Sequence, residues 1–376
     1  MNRWTRRLYA GVNVFFLMLM PALALSANAA DKFYQQHNLV SDGFVPADNL
    51  DPHLINAWGI VFGPTNPVWV SDQGSGVATL YDGLGHSFPP PPQGPLVLNI
   101  PKAPNHGPAT GPTGIVFNDS TGFVVEAGSA SGPARFVFAT LDGLIAGWAP
   151  NVDLHNAIVA VPASVGTFTG LALANNGIGM FLYVADIRNA RIAAFDSNFH
   201  PATLSGSFAD PAIPPGFGPY GIHNIDRDLY VTYARQDRTF AKGLGFVNVF
   251  DANGNLIRRV ASRGKLNGPW AVALAPAAFG KFSNHLLVGN FGDGTIDAFD
   301  PATGKFRGQL KGTDRQPLKI DGLWALRFGN GLLDQPADVL FFSAGPGNER
   351  HGLYGNITAV AATGQEDDGD NDDDWE

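Results

Sequence analysis

The sequence predicts an all-β fold, a six-bladed β-propeller of four-stranded antiparallel blades, and three observations predict it. A five-residue phrase recurs six times, at steps of 50 to 56 residues: "WGIVF" from Trp58, "TGIVF" from Thr113, "TGLAL" from Thr169, "YGIHN" from Tyr220, "WAVAL" from Trp270 and "WALRF" from Trp324. A hairpin phrase follows, written most plainly as "VSDQGSGVATLYD" at 70–82, "VADIRNARIAAFD" at 184–196 and "VGNFGDGTIDAFD" at 288–300. The chain carries 46 Gly and 28 Pro in 376 residues, yet stays 45% apolar and only 15% charged. That balance calls for many short strands and turns around a real core, with little long solvated helix.

The first element of each unit is the five-residue phrase. Side chains alternate between faces along a strand, so its first, third and fifth positions form one packed stripe. The second position is always Gly or Ala (Gly59, Gly114, Gly170, Gly221, Ala271, Ala325). A face that admits only such residues lies where backbones crowd together, which marks the innermost strand of a blade.

The next two elements form the hairpin. Its first arm reads "VWVSD", "FVFAT", "LYVAD", "LYVTY", "LLVGN" and "VLFFS", and its second arm starts at Gly76, Gly143, Ala190, Gly245, Gly294 and Gly355. A weaker fourth strand follows in most units, at 96–100, 157–161, 256–260 and 306–310. The sixth unit has no fourth strand of its own. "KFYQQHNLV" (32–40) precedes the first unit and is expected to fill that vacancy, closing the ring without an open sheet edge. Insertions fall in connections: the proline-rich 82–95 as a stiff surface excursion, 118–134 as an added hairpin, and 234–245 and 344–353 as enlarged tips.

The two ends differ from the body. Residues 1–30 have an arginine-rich start, an apolar run and small residues at A-x-A spacing around Ala27 and Ala29, the pattern of a secretory signal peptide. This predicts an exported protein, periplasmic or extracellular, with no membrane span after cleavage. Residues 366–376, "EDDGDNDDDWE", predict a disordered acidic tail. Between them, 31–365 is expected to be the propeller. The formal charge is −9, largely from the tail, and no basic stripe crosses the body. This argues against nucleic acid and anionic lipid as partners. The absence of cysteine excludes thiolate chemistry and Cys-ligated metal, and leaves the core to hold the chain together.

In a propeller the tips between second and third strands gather round one mouth of the central channel. There the sequence places Asn56, Asp72, Asp186, Arg188, His223, Asn290 and Asp321 as ligand-binding candidates, with Asn105 and His106 approaching from the loop before the second unit. Asp72, Asp186 and Asn290 share one phase and offer oxygen ligands for a hard cation such as Ca2+. The competing reading is that Asp or Asn at a strand end caps its own turn. A monomer is expected, with an unidentified small molecule, glycan or protein as partner at this face. No catalytic residue is assigned, because no Ser–His–Asp order or paired-carboxylate motif accompanies the histidines.

The phrases "LYVAD" and "RIAAFD" resemble NHL-type repeats. The span from about 33 to 362, through "NAWGIVFGP", "GPARFVFATLDGLIAGW" and "NGPWAVALAP", resembles a family of exported bacterial six-bladed propellers of uncharacterised function. The resemblance implies the fold and export but no established reaction, and a binding or scaffold module is the function expected. It is also similar, more distantly, to gluconolactonase-like propellers, which implies a metal-dependent hydrolase as the alternative. Those enzymes place a metal-binding Glu at the first inner strand, where this chain has Asn56.

Overall fold

Six antiparallel sheets stand round a common axis in the computed structural model, which describes residues 32–103 and 110–361. The innermost strands are Ala57–Phe62, Pro112–Phe117, Phe168–Asn175, Phe217–Ile225, Pro269–Leu274 and Leu323–Phe328. Each abuts the next, and the sixth abuts the first, so the ring closes. Among the described residues the only helical pieces are the turn Gly280–Phe282 and the four-residue segment Pro346–Glu349. No helix among them is long and apolar enough to cross a membrane.

The crowding expected of the second position is visible atom by atom. A Cβ at Gly59 would lie 2.4 Å from the carbonyl oxygen of Thr113, and one at Gly114 would lie 2.5 Å from the nitrogen of Leu171. One at Gly221 would lie 2.2 Å from the carbonyl oxygen of Trp270. Each small residue therefore faces the inner strand of the following blade. The opposite stripe faces the preceding one, as in the edge contact of Phe62 with Phe341 at 5.5 Å. Both faces of every blade are buried against neighbours, which is why no blade can hide its apolar surface alone.

The closure follows the expected scheme. Phe33–Ser41 pairs antiparallel with Leu353–Val360, from Phe33 opposite Val360 to Ser41 opposite Leu353, with one irregularity between Asn38 and Val40. Asn49–Leu50 then adds a short parallel strand at the outer edge. Tyr34 fastens the first strand to the fifth blade as well. Its hydroxyl donates to the carbonyl of Phe279 (3.1 Å) and accepts from the nitrogen of Phe282 (2.9 Å).

The outer strands are less regular than the sequence suggests. The expected strand at 96–100 is only Leu98–Asn99. Asn99 turns both of its backbone groups to the next blade: its N–H donates to His155 and its carbonyl accepts from Ala157, both beside the second blade. The third blade ends in the two-residue strand Pro201–Ala202. The insertion after the second inner strand does form a hairpin, Val124–Ala127 with Ala130–Pro133. Residues 1–31, 104–109 and 362–376, and with them the signal peptide, Asn105, His106 and the acidic tail, lie outside the described residues.

Candidate ligand site at the channel mouth

The first residues of the six repeated phrases decide what the channel is. Blades one, four, five and six supply Trp58, Tyr220, Trp270 and Trp324, whereas blades two and three supply Thr113 and Thr169. Trp58 and Trp324 stack with centroids 3.5 Å apart, and Phe291 from the fifth tip stacks on Trp324 at 4.1 Å. Trp270 meets Trp324 edge-on at 6.1 Å, and Tyr220 lies 5.8 Å from it. The aromatic side chains thus fill one half of the channel. The smaller threonines leave the other half open.

That opening is a cavity of about 330 Å3, bounded by Trp58, Leu141, Thr169, Ile187, Arg188 and Tyr220, with Gln236 and Arg238 at its rim. Arg188 is exposed and has no ion-pair partner among the described residues. Arg238 pairs with Glu349, an ion pair that joins the tips of blades four and six across the mouth. Tyr220 is 3% exposed and its hydroxyl has no hydrogen-bond partner; neither has the indole N–H of Trp58, which is 1% exposed. Burial pushes the Tyr220 hydroxyl well above the usual tyrosine range, so it stays a neutral donor. Buried donors without partners are uncommon and costly, and two of them line one cavity.

The candidates read from the sequence disperse over the ring. Asn56 is fully buried at the seam between blades six and one, with a left-handed φ of 47°. Its oxygen accepts from Nε1 of Trp324 (2.8 Å), its amide donates to Gln73 (2.7 Å), and its N–H donates to the carbonyl of His351 (3.0 Å). Asp72 accepts from the hydroxyl of Thr79 (2.8 Å), and burial pushes its carboxyl well above the ordinary carboxylate range. Asp186 accepts from the backbone of Thr167 (3.1 Å), the amide of Asn189 (2.7 Å) and Nε of Arg191 (3.4 Å). Asn290 accepts from the N–H of Asn267 (2.9 Å) and donates to Asp297 (3.0 Å). Asp72, Asp186 and Asn290 are each bonded within their own repeat, and Asn56 bridges blades six and one. Among the described residues no group of three or more His, Asp or Glu side chains is placed to hold a metal ion.

Asp321 is exposed and accepts from the N–H of Gly347 (2.9 Å), where it orders the tip of blade six. His223 does not reach the mouth. It lines a constriction deeper in the channel, and its Nε2–H donates to the carbonyl of Trp270 (2.8 Å). Burial lowers its pKa to about 4, so it is neutral near pH 7. Of the sequence candidates only Arg188 borders the cavity. Trp58, Tyr220 and Arg238 were not read from the sequence as site residues, though the change from Thr to aromatic at the first repeat position was a visible signal.

No family model matches the chain. Two proteins of Acanthamoeba polyphaga mimivirus do. Uncharacterized protein R648 is 34% identical over 337 residues, covering 85% of this chain and 78% of its own length. Uncharacterized protein L690 is 34% identical over 335 residues, covering 85% and 84%. The chain belongs to their family. These relatives are viral and uncharacterised, so the bacterial, exported character that the sequence resemblance implies finds no support in them. Solved structures of this architecture include a glucose dehydrogenase (TM-score 0.53, 13% identity, 87% of this chain and 99% of that one). A virginiamycin B lyase from Staphylococcus aureus with quinupristin is similar (TM-score 0.52, 12% identity, 87% and 99%). At that identity the likeness establishes the six-bladed propeller fold and nothing about chemistry.

Proposed function

We propose that this family member is an exported binding propeller that takes a small ligand into the channel-mouth cavity. The ligand has a flat apolar body and an anionic or acceptor group. Trp58, Tyr220, Leu141 and Ile187 offer the body an apolar bed, and Arg188 offers the charged group an unpaired guanidinium. The observation that carries the reading is the pair of buried, partnerless donors on Trp58 and Tyr220 beside that cavity. Export, to periplasm or exterior, rests on the signal-like pattern of residues 1–30.

The test is titration with 2-naphthalenesulfonate, followed by tryptophan fluorescence. Binding should quench the emission of the channel tryptophans. Arg188→Gln should weaken it about tenfold or more, the scale of a lost charge-assisted hydrogen bond. An unchanged affinity in that variant would remove Arg188, and this site, from the proposal.

A further inference from the structure

The opposite end of the channel holds a second cavity, of about 440 Å3. Its wall is about equally apolar and polar, and the apolar part is formed by Val61, Phe62, Val116, Phe117 and Leu171 from the first three blades. One charged residue lines it, Arg327 from the inner strand of blade six. Arg327 holds the fourth position of the repeated phrase, where the other blades carry Val61, Val116, Ala172, His223 and Ala273. Its guanidinium has neither an ion-pair nor a hydrogen-bond partner among the described residues. Burial depresses its pKa with no carboxylate to offset the effect. The nearby titratable group that feels its charge is His223, which is neutral near pH 7. Of the amides close by, Asn330 spends both of its hydrogens and Asn224 one of its two. Asn224 donates to the carbonyl of Leu173 (2.7 Å), and Asn330 donates to the carbonyls of Gly63 (2.9 Å) and Asn66 (3.0 Å).

From this arrangement we propose that the far cavity binds an apolar monocarboxylate, its carboxylate on the Arg327 guanidinium and its hydrocarbon body against the apolar wall. An unpaired cation in a low-dielectric channel is costly, and an anion that reaches it recovers that cost. The planar guanidinium matches a carboxylate with two parallel hydrogen bonds. A single cation disfavours dianions, because the second charge would find no second cation in the lining. The apolar wall contributes in proportion to the hydrocarbon it covers. A constriction of about 10 Å3, lined by Gly59, Gly114 and Ala325, separates this cavity from the channel mouth. The two sites therefore load from different ends.

The experiment is calorimetric titration of the protein with octanoate, with octanol and inorganic phosphate as matched probes. The proposal expects one octanoate per chain, octanol weaker by about tenfold or more, and phosphate no tighter than octanol. Arg327→Gln should lose about tenfold or more in octanoate affinity, and Arg327→Lys should keep part of it. Arg188→Gln, at the other mouth, should bind octanoate like the parent, which separates this site from the one proposed above. Melting temperatures of the variants verify folding, and removing an unpaired, half-buried cation should leave that of Arg327→Gln equal or higher. Failure of octanoate to bind the parent protein overturns the proposal. So does equal binding of octanol and octanoate, equal or tighter binding of phosphate, full affinity in Arg327→Gln, or loss in Arg188→Gln.

Discussion

Asp297 shows how a single buried carboxyl couples this fold to pH. It lies in the third strand of blade five, fully buried, accepting from Asn290 (3.0 Å) and Gln309 (2.9 Å). Burial outweighs those bonds and raises its pKa from 3.8 to about 6. The folded state therefore holds the proton more tightly than the unfolded state. Between roughly pH 4 and pH 6 stability falls as pH rises, by at most about 1.4 kcal/mol per pH unit from this one group. Asp297→Asn removes the titration, and urea unfolding across that window should show a flatter profile than the parent. An equal slope in both proteins would contradict the assignment. Other polar residues at the hairpin tips illustrate what sequence could and could not say. Asp72, Asp186 and Asn290 were legible as one phase of the repeat, but phase does not tell which atoms converge. Each found its partners inside its own repeat, Asp72 at the hydroxyl of Thr79, Asp186 at Thr167 and Asn189, and Asn290 at the N–H of Asn267.

At the scale of the strand, the repeated Gly or Ala is a steric requirement set by the next blade. A Cβ at Gly114 would lie 2.5 Å from the nitrogen of Leu171 and 2.9 Å from the carbon of Gly170, both backbone atoms that cannot swing away. At Gly170 the nearest atom is 3.1 Å off. Gly114→Ala should therefore cost roughly 1–3 kcal/mol, the range of an overpacked core, and Gly170→Ala less. Denaturant midpoints of the two variants check the order. This crowding was legible from alternation alone, because the small residue recurs at a fixed position in six strands. The outer strands were not legible to the same degree. Leu98–Asn99 shares its bonds with a neighbouring blade, and no pattern within 96–100 announces that. Arg327 also escaped notice, since a charge on an inner strand reads as a break in the pattern until the channel around it is seen.

For the whole molecule, stability depends on the joint between Phe33–Ser41 and Leu353–Val360. Removing residues 1–41 would expose the edge of Leu353–Val360 and leave blade six one strand short. The truncated protein should lose its single cooperative melting transition and form oligomers on size-exclusion chromatography. A synthetic peptide of residues 32–42 added in trans should reverse both effects. A monomer that melts like the parent would show that the ring holds without its clasp.

The same joint dictates when the protein can become itself. Phe33 is among the first residues a ribosome releases into this fold, and its partner Val360 is among the last. No amount of early progress during synthesis lets the circle lock, because one half of the latch does not yet exist. The final step is a meeting of the two far ends of the chain, slow by its topology. Until it happens the nascent polypeptide remains an unlatched string of wedges.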